Sequence, residues 1–177
     1  MRIAIIGTHA SGKTTLCNKL YTCMWFDYYH FAKEPMREVA RLGFPVNEKA
    51  DDASQLAMVS LHLHNLLFKN AVMDRSLLDA YIYAKYLNQT SGIVSDETTE
   101  FIHSLMLKNI HRYDYLFLCE PEFELQNDGF RSTDLKFRND IAEMFVEEIA
   151  KIPSLDVVVV RGTTQERSDK VLRTLFS

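Results

Sequence analysis

The sequence has no surplus of positive charge, no long apolar run and no paired-cysteine motif, and each absence removes a class of function. Twenty lysines and arginines stand against 24 acidic residues, for a net charge of −4. The broad basic face that nucleic-acid phosphates require is therefore not expected, and DNA or RNA is a disfavoured partner unless a local patch serves it. No apolar stretch approaches the roughly 20 residues of a membrane span, so no membrane partner is expected. The start Met1-Arg2-Ile3 runs on before a secretory h-region could form, so no leader is expected either. Cys17, Cys23 and Cys119 are odd in number and lack C-x-x-C spacing. Reduced thiols in a cytoplasmic setting follow, rather than a disulfide frame. Repeats, low-complexity stretches and linkers are missing as well. With 177 residues, 47% of them hydrophobic, one domain over 1–177 with one buried core is expected.

Short apolar runs are present, near 2–6, 28–33, 70–74, 115–119 and 156–160, separated by segments of helical period. Helices are expected near 13–23, 35–42, 48–69, 76–89, 96–111, 134–151 and 165–175, with Asn47, Ser95 and Thr133 as N-caps. This alternation predicts an α/β fold of βαβ units with a parallel sheet. The run Val157-Val158-Val159-Val160 is unalternated, which predicts a strand covered on both faces. The segment 120–133, with Pro121 and Asn127-Asp128-Gly129, has little periodicity and reads as a long functional loop.

Directly after the first run stand Gly7, Thr8, His9, Ala10, Ser11, Gly12, Lys13 and Thr14, a complete G-x-x-x-x-G-K-[ST] loop, with Thr15 opening the next helix. Two glycines at this spacing let the backbone curl until successive N–H groups point at phosphate oxygens. Lys13 then reaches the β- and γ-phosphates, and the Thr14 hydroxyl is a Mg²⁺ ligand. The loop implies a nucleoside triphosphate, with ATP and Mg²⁺ as cofactors. His9 occupies a free position of the loop and carries no further role on sequence grounds.

In such sheets ligands lie at the carboxyl ends of the strands, so the residues after each run carry the candidate chemistry. After the second run, Glu34 could take a proton from an attacking hydroxyl, and Arg37 and Arg41 could hold an anionic substrate group. After the third, Asp74 holds the place of an acidic residue near magnesium, followed by Arg75. One of Glu34 and Asp74 is the base, and the sequence leaves open which. Arg131 and Arg138, with Lys136 between, would form a lid over 120–138 whose guanidiniums neutralise charge on the transferring phosphoryl group. Gly162 and Thr163 follow the fifth run. Phe44 and Phe130 fall in loops and are the aromatic candidates for holding a substrate ring. Tyr81, Tyr83 and Tyr86 read as helix packing, and Glu120, Glu122 and Glu124 as solvated loop charge. His62 and His64, two apart, fall on different helix faces, which argues against a metal pair.

Taken together, the loop 7–14, Glu34-Pro35-x-Arg37, Asp74-Arg75-Ser76 and the run 128–134 resemble the small P-loop kinases. The likeness is closest to the AAA-domain group that includes the kinase domain of nicotinamide riboside kinase and NMN adenylyltransferase regulators. The Glu-Pro and Asp-Arg-Ser junctions are also similar to those of deoxynucleoside and thymidylate kinases. The resemblance implies a three-layer, adenylate-kinase-like P-loop NTPase fold with five parallel strands in order 2-3-1-4-5. It also implies an arginine lid at Arg131 and Arg138, and adenine held near Gly162 and Thr163. An ATP- and Mg²⁺-dependent kinase of a nucleoside or nucleotide is the first reading. Three arginines, Arg37, Arg41 and Arg75, tilt it toward a deoxynucleoside monophosphate as acceptor. Two other readings stand beside it: a kinase of a hydroxyl on a modified base or end of DNA or RNA, and an ATP-binding regulatory module. A homodimer is compatible with such a chain.

Overall fold

Each apolar run becomes a strand because the helical segments between them supply a cover for both faces. A computed structural model describes residues 1–123 and 132–176. The elements follow one another as β1 (Arg2–Ile6), α1 (Lys13–Tyr21), β2 (His30–Ala32), α2 (Pro35–Arg41), α3 (Asp52–Asn65), β3 (Ala71–Asp74), α4 (Leu77–Ser91), α5 (Asp96–Asn109), β4 (Tyr115–Cys119), α6 (Leu135–Ala150), β5 (Val157–Val160) and α7 (Thr164–Phe176). Short 3₁₀ turns lie at 24–26, 47–49 and 110–112. The five strands are parallel in the order β2-β3-β1-β4-β5, as the resemblance implies.

The sheet is the middle of three layers. Strand alternation sends Ile3 and Ile5 to one face, where they pack with Leu16, Leu20 and Val171 of α1 and α7. Ala4 and Ile6 point to the other face, onto Leu78, Ile82 and Ile141 of α4 and α6. The expected single core is thus two apolar layers, one on each side of the sheet. Each fully buried Leu or Ile contributes about 2 kcal/mol relative to exposure.

Register brings the strand ends level, with Ile5 opposite Asp74, Ile6 opposite Leu118 and Cys119 opposite Val160. The loops that carry chemistry therefore share one rim. Cys17 and Cys119 are buried free thiols and Cys23 is half-buried. Among the described residues no helix is long and apolar enough to cross a membrane.

Several boundaries move. The third helix is 52–65 rather than 48–69, because Asp51 caps it by accepting from Ser54 N at 2.9 Å. Asn47, expected as the cap, has φ 57° and opens the 3₁₀ turn before it. Asp134, not Thr133, caps α6, accepting from Lys136 N and Phe137 N at 2.8 and 3.1 Å. Ser95 caps α5 as expected, accepting from Thr98 N at 3.1 Å. The second strand is shortened to three residues, with Tyr28 exposed ahead of it. β5 is an edge strand: Val160 is buried, but Val159 is 40% exposed. Its run of valines reflects strand propensity, not burial on both faces.

Candidate nucleotide and acceptor site

The phosphate loop occupies the turn from β1 into α1, and left-handed backbone makes its curl. Gly7, Ala10 and Gly12 have φ of 131°, 54° and 84°. Only glycine fits at Gly7, where a Cβ would stand 2.6 Å from the Cys119 carbonyl oxygen. Thr8, His9, Ser11 and Lys13 are buried and Thr15 is exposed. The Lys13 ammonium folds back on its own loop, donating to Thr8 O and, at 3.2 Å, to Ser11 Oγ. Burial first, and then the neighbouring Arg75 charge, lower its pKa to about 8, against the pull of Asp74, Glu34 and Asp79. A triphosphate would favour the charge that burial disfavours.

Asp74 ends β3 beside the loop. The Thr14 hydroxyl donates to its Oδ2 at 2.6 Å, while its Oδ1 is buried with no hydrogen-bond partner. A buried carboxylate oxygen without a donor is costly, and burial, followed by repulsion from Glu34, raises the pKa of this group. The hydroxyl and carboxylate together form the oxygen donor set that suits magnesium beside a triphosphate, so the expected pair Thr14 and Asp74 fits the ion.

On the other side of Asp74 a pocket enclosing about 530 Å³ of empty space, partly open to solvent, lies between α2, α3 and α4. Arg75, Asp79, Tyr83, Gln55 and His62 line it, with Met36 and Met58 as apolar wall. Arg75 is 7% exposed and holds φ 83°, a strained backbone for a non-glycine residue. Its guanidinium Nε and Nη2 both donate to Glu34 Oε1 at 2.8 Å. Nη1 lies 3.7 Å from Asp79 Oδ1, and the carbon of the fork sits 4.9 Å from the centre of the Tyr83 ring. Asp79 also accepts from Gly7 N at 3.3 Å and forms a capping box with Ser76. Burial raises its pKa to about 6, with Arg75 opposing. Gln55 Oε1 and His62 Nδ1 are buried and partnerless, and burial lowers the His62 pKa to about 3, with the Arg75 charge adding to the shift.

At the far rim, Arg138 is 9% exposed and donates from Nη1 to Phe123 O at 2.6 Å, while its carbonyl accepts from the Thr8 hydroxyl at 2.9 Å. That puts the first turn of α6 against the phosphate loop. Arg131 and Phe130 lie outside the described residues. Gly162 and Thr163 stand at the end of β5, where Gly162 N donates to Glu122 at 2.7 Å and Thr163 forms a box with Glu166. Arg37 is exposed on α2. Arg41 is not in the site: it forms a surface ion pair with Glu38 at 2.6 Å. Phe44 is 36% exposed and does not line the cavity.

The AAA domain family matches residues 2–167. The chain belongs to that family. No curated protein sequence matches this AAA domain, but solved structures do. Deoxyadenosine kinase from M. mycoides, with products dCMP and a flexible dCDP bound, is similar at TM-score 0.71 and 18% identity, over 99% of this chain and 98% of that one. NadR protein in complex with NR gives TM-score 0.73 at 20% identity over 97% of this chain and 50% of that one. Thymidylate kinase from Candida albicans gives 0.66 at 17% over 98% and 89%. This AAA domain thus has the fold of these kinases.

Sequence reasoning missed four residues of the cavity. Asp79 and Gln55 stand in the first turns of α4 and α3 and His62 in the last turn of α3, and Tyr83 reads as packing until the fold turns it inward, where its hydroxyl accepts from His9 N at 2.9 Å. Polar residues at buried helix positions were the available signal. His9 is itself buried, 5.0 Å from Phe137 between ring centres, and is part of the cavity wall rather than incidental. Glu120 and Glu122 are carboxylates near the surface, as expected, and they pair with Arg161 and Arg167, each at 2.6 Å; Glu124 lies outside the described residues.

Proposed function

We propose that this AAA domain transfers the γ-phosphoryl group of ATP to a hydroxyl of a nucleoside. The observation that carries the reading is a pair of carboxylates on one flank of the phosphate loop, at the ends of the adjacent strands β3 and β2, held in different contacts. Asp74 is bonded to Thr14, and Glu34 is bonded to the arginine that lines a separate cavity. Asp74 belongs to the metal side and Glu34 is the base. The acceptor hydroxyl gives its proton to Glu34 as its oxygen attacks the γ-phosphorus. The bond from that phosphorus to the β-bridging oxygen breaks, and ADP leaves. Lys13, Arg138 and, in the lid, Arg131 neutralise the charge that spreads over the transferring oxygens. Thr14 and Asp74 would hold the magnesium that accompanies ATP, and it would supply positive charge beside the phosphates. The loop 7–15 holds the triphosphate and Gly162 and Thr163 border the base. The whole chain is one kinase domain whose lid spans about 120–138.

A nucleoside fits better than a nucleotide because of charge. Of the three arginines that pointed to an acceptor phosphate, Arg41 is paired on the surface and Arg75 is engaged by Glu34 and Asp79. Among the described residues that line the cavity Arg75 is the one Lys or Arg, and two carboxylates around it leave little positive charge for a phosphate dianion, while Arg37 lies exposed outside that lining. Gln55 Oε1 and His62 Nδ1 instead offer neutral hydrogen bonds to a heterocycle between apolar walls. Relatives in fold support the class, since deoxyadenosine kinase and NadR are solved with dCMP and NR respectively.

The test is ADP release with Mg·ATP across nucleosides, nucleoside monophosphates, nicotinamide riboside and short DNA, with products confirmed by mass. Phosphorylation of nucleosides is expected. Turnover confined to monophosphates would overturn the nucleoside reading, and turnover on DNA would move the acceptor to a polymer. ATP binding with a silent panel would favour a regulatory module. Glu34→Gln is expected to lower kcat about 10²- to 10⁴-fold with ATP affinity unchanged, whereas Asp74→Asn weakens Mg·ATP itself.

A further inference from the structure

We propose that Arg167 is a positioning residue for the triphosphate, fixing the peptide plane of the phosphate loop that must present its N–H to a phosphate oxygen. This rests on the reading of residues 7–14 as that site. Arg167 lies in the first turn of α7, far in sequence from the loop, and is 1% exposed. Its fork reaches three segments of the rim at once. Nη1 donates to Ser11 O at 2.6 Å, Nε to Gly162 O at 2.9 Å, and Nη2 to Glu120 O at 3.3 Å and to Glu122 Oε2 at 2.6 Å. The ring of Phe123 lies 4.8 Å from the guanidinium carbon and over Gly12, where an added Cβ would meet it at 2.8 Å.

The bond to Ser11 O decides what this cluster does. A trans peptide points its C=O and the next N–H in opposite directions. Holding the Ser11 carbonyl toward α7 therefore turns the Gly12 N–H the other way, into the concave side of the loop. Phosphate binding by such loops depends on N–H groups converging on one point. A loop carbonyl buried against a helix needs a donor, and an apolar side chain there would leave it to flip. Lysine could meet one acceptor but not the set, because only the planar fork presents several N–H groups at fixed angles. The same fork ties the roots of the segments after β4 and β5 to the loop, so the geometry of all three depends on one side chain.

The experiment measures the affinity of the wild-type chain, Arg167→Lys and Arg167→Met for Mg·AMP-PNP by calorimetry, with thermal unfolding as a control for folding. Kinetics with the best acceptor then give KM for ATP and for the acceptor separately. The expected result is ATP-analogue affinity about tenfold weaker or more in both variants, with acceptor KM within about twofold. Arg167→Lys keeps the charge and guards against a methionine variant that fails to fold. Affinity in a folded Arg167→Lys within about twofold of wild type would overturn the proposal, as would equal losses for ATP and acceptor, which mark a general structural role. A wild-type chain that does not bind Mg·AMP-PNP would overturn the triphosphate reading itself, and is seen before any variant is compared.

Discussion

His62 is a histidine held neutral in a buried cavity, and that ties the stability of the domain to acid. Burial, with the Arg75 charge adding to it, lowers its pKa from the ordinary 6.5 to about 3. The folded state binds the proton more weakly than the unfolded one. Its contribution is therefore fully present above pH 6.5 and is lost as pH falls toward 3. At 1.36 kcal/mol per unit, moving from pH 7 to pH 5 costs about 2 kcal/mol through this one group. His62→Gln is expected to remove that part of the slope, measured as the difference in urea unfolding free energy between the two pH values. An unchanged difference in the variant would mean that His62 does not carry it. The phosphate loop was legible because eight neighbouring residues spell it. Gln55, His62 and Asp79 were not, because a polar residue in a helix gains its meaning only when the crossover turns it toward a cavity. Arg41 shows the converse. Its four-residue spacing from Arg37 suggested a shared substrate face, yet Glu38, three residues away, captures it on the surface.

At the scale of the element, α3 is one wall of the cavity proposed for the acceptor, and its first turn sets where Gln55 stands. Asp51 accepts from both the N–H and the hydroxyl of Ser54, at 2.9 and 2.8 Å. Asp51→Ala removes the cap and is expected to cost about 1 kcal/mol, a Tm lower by about 2–4 °C for a chain of this size. Fraying would reach Gln55 before it reached the phosphate loop, so acceptor KM should rise while KM for ATP stays near wild type. Equal shifts in both would sink the assignment of α3 to the acceptor. Helix existence was legible from apolar period throughout, but two of three caps were misplaced by one to four residues, since Asn47, Asp51, Thr133 and Asp134 are all capable residues. Which one caps depends on backbone angles, and the left-handed Asn47 decides one case.

The whole molecule places β1 at the centre of the sheet with β3 and β4 as its neighbours, so the phosphate loop lies between Asp74 at the end of β3 and Glu120 after β4. That order was not legible in the composition or the apolar runs, which predict a parallel sheet but allow several strand orders. It entered only through the likeness of the motifs to known kinases. A site assembled from the rim of every central strand links ligand occupancy to global unfolding. Mg·ATP at about 100 times its Kd is expected to stabilise the fold by about 2.7 kcal/mol, a Tm rise of roughly 5–10 °C at this length. Lys13→Ala should abolish most of the rise, because it removes the buried cation of the loop, whose charge the phosphates would favour. Differential scanning fluorimetry over an ATP titration reads both proteins side by side. A full shift retained by Lys13→Ala would put the nucleotide elsewhere on the molecule. Loss of the shift, read for each protein against its own Tm without ATP, places the nucleotide in the loop; that baseline is needed because the substitution also removes the bonds from Lys13 to Thr8 O and Ser11 Oγ.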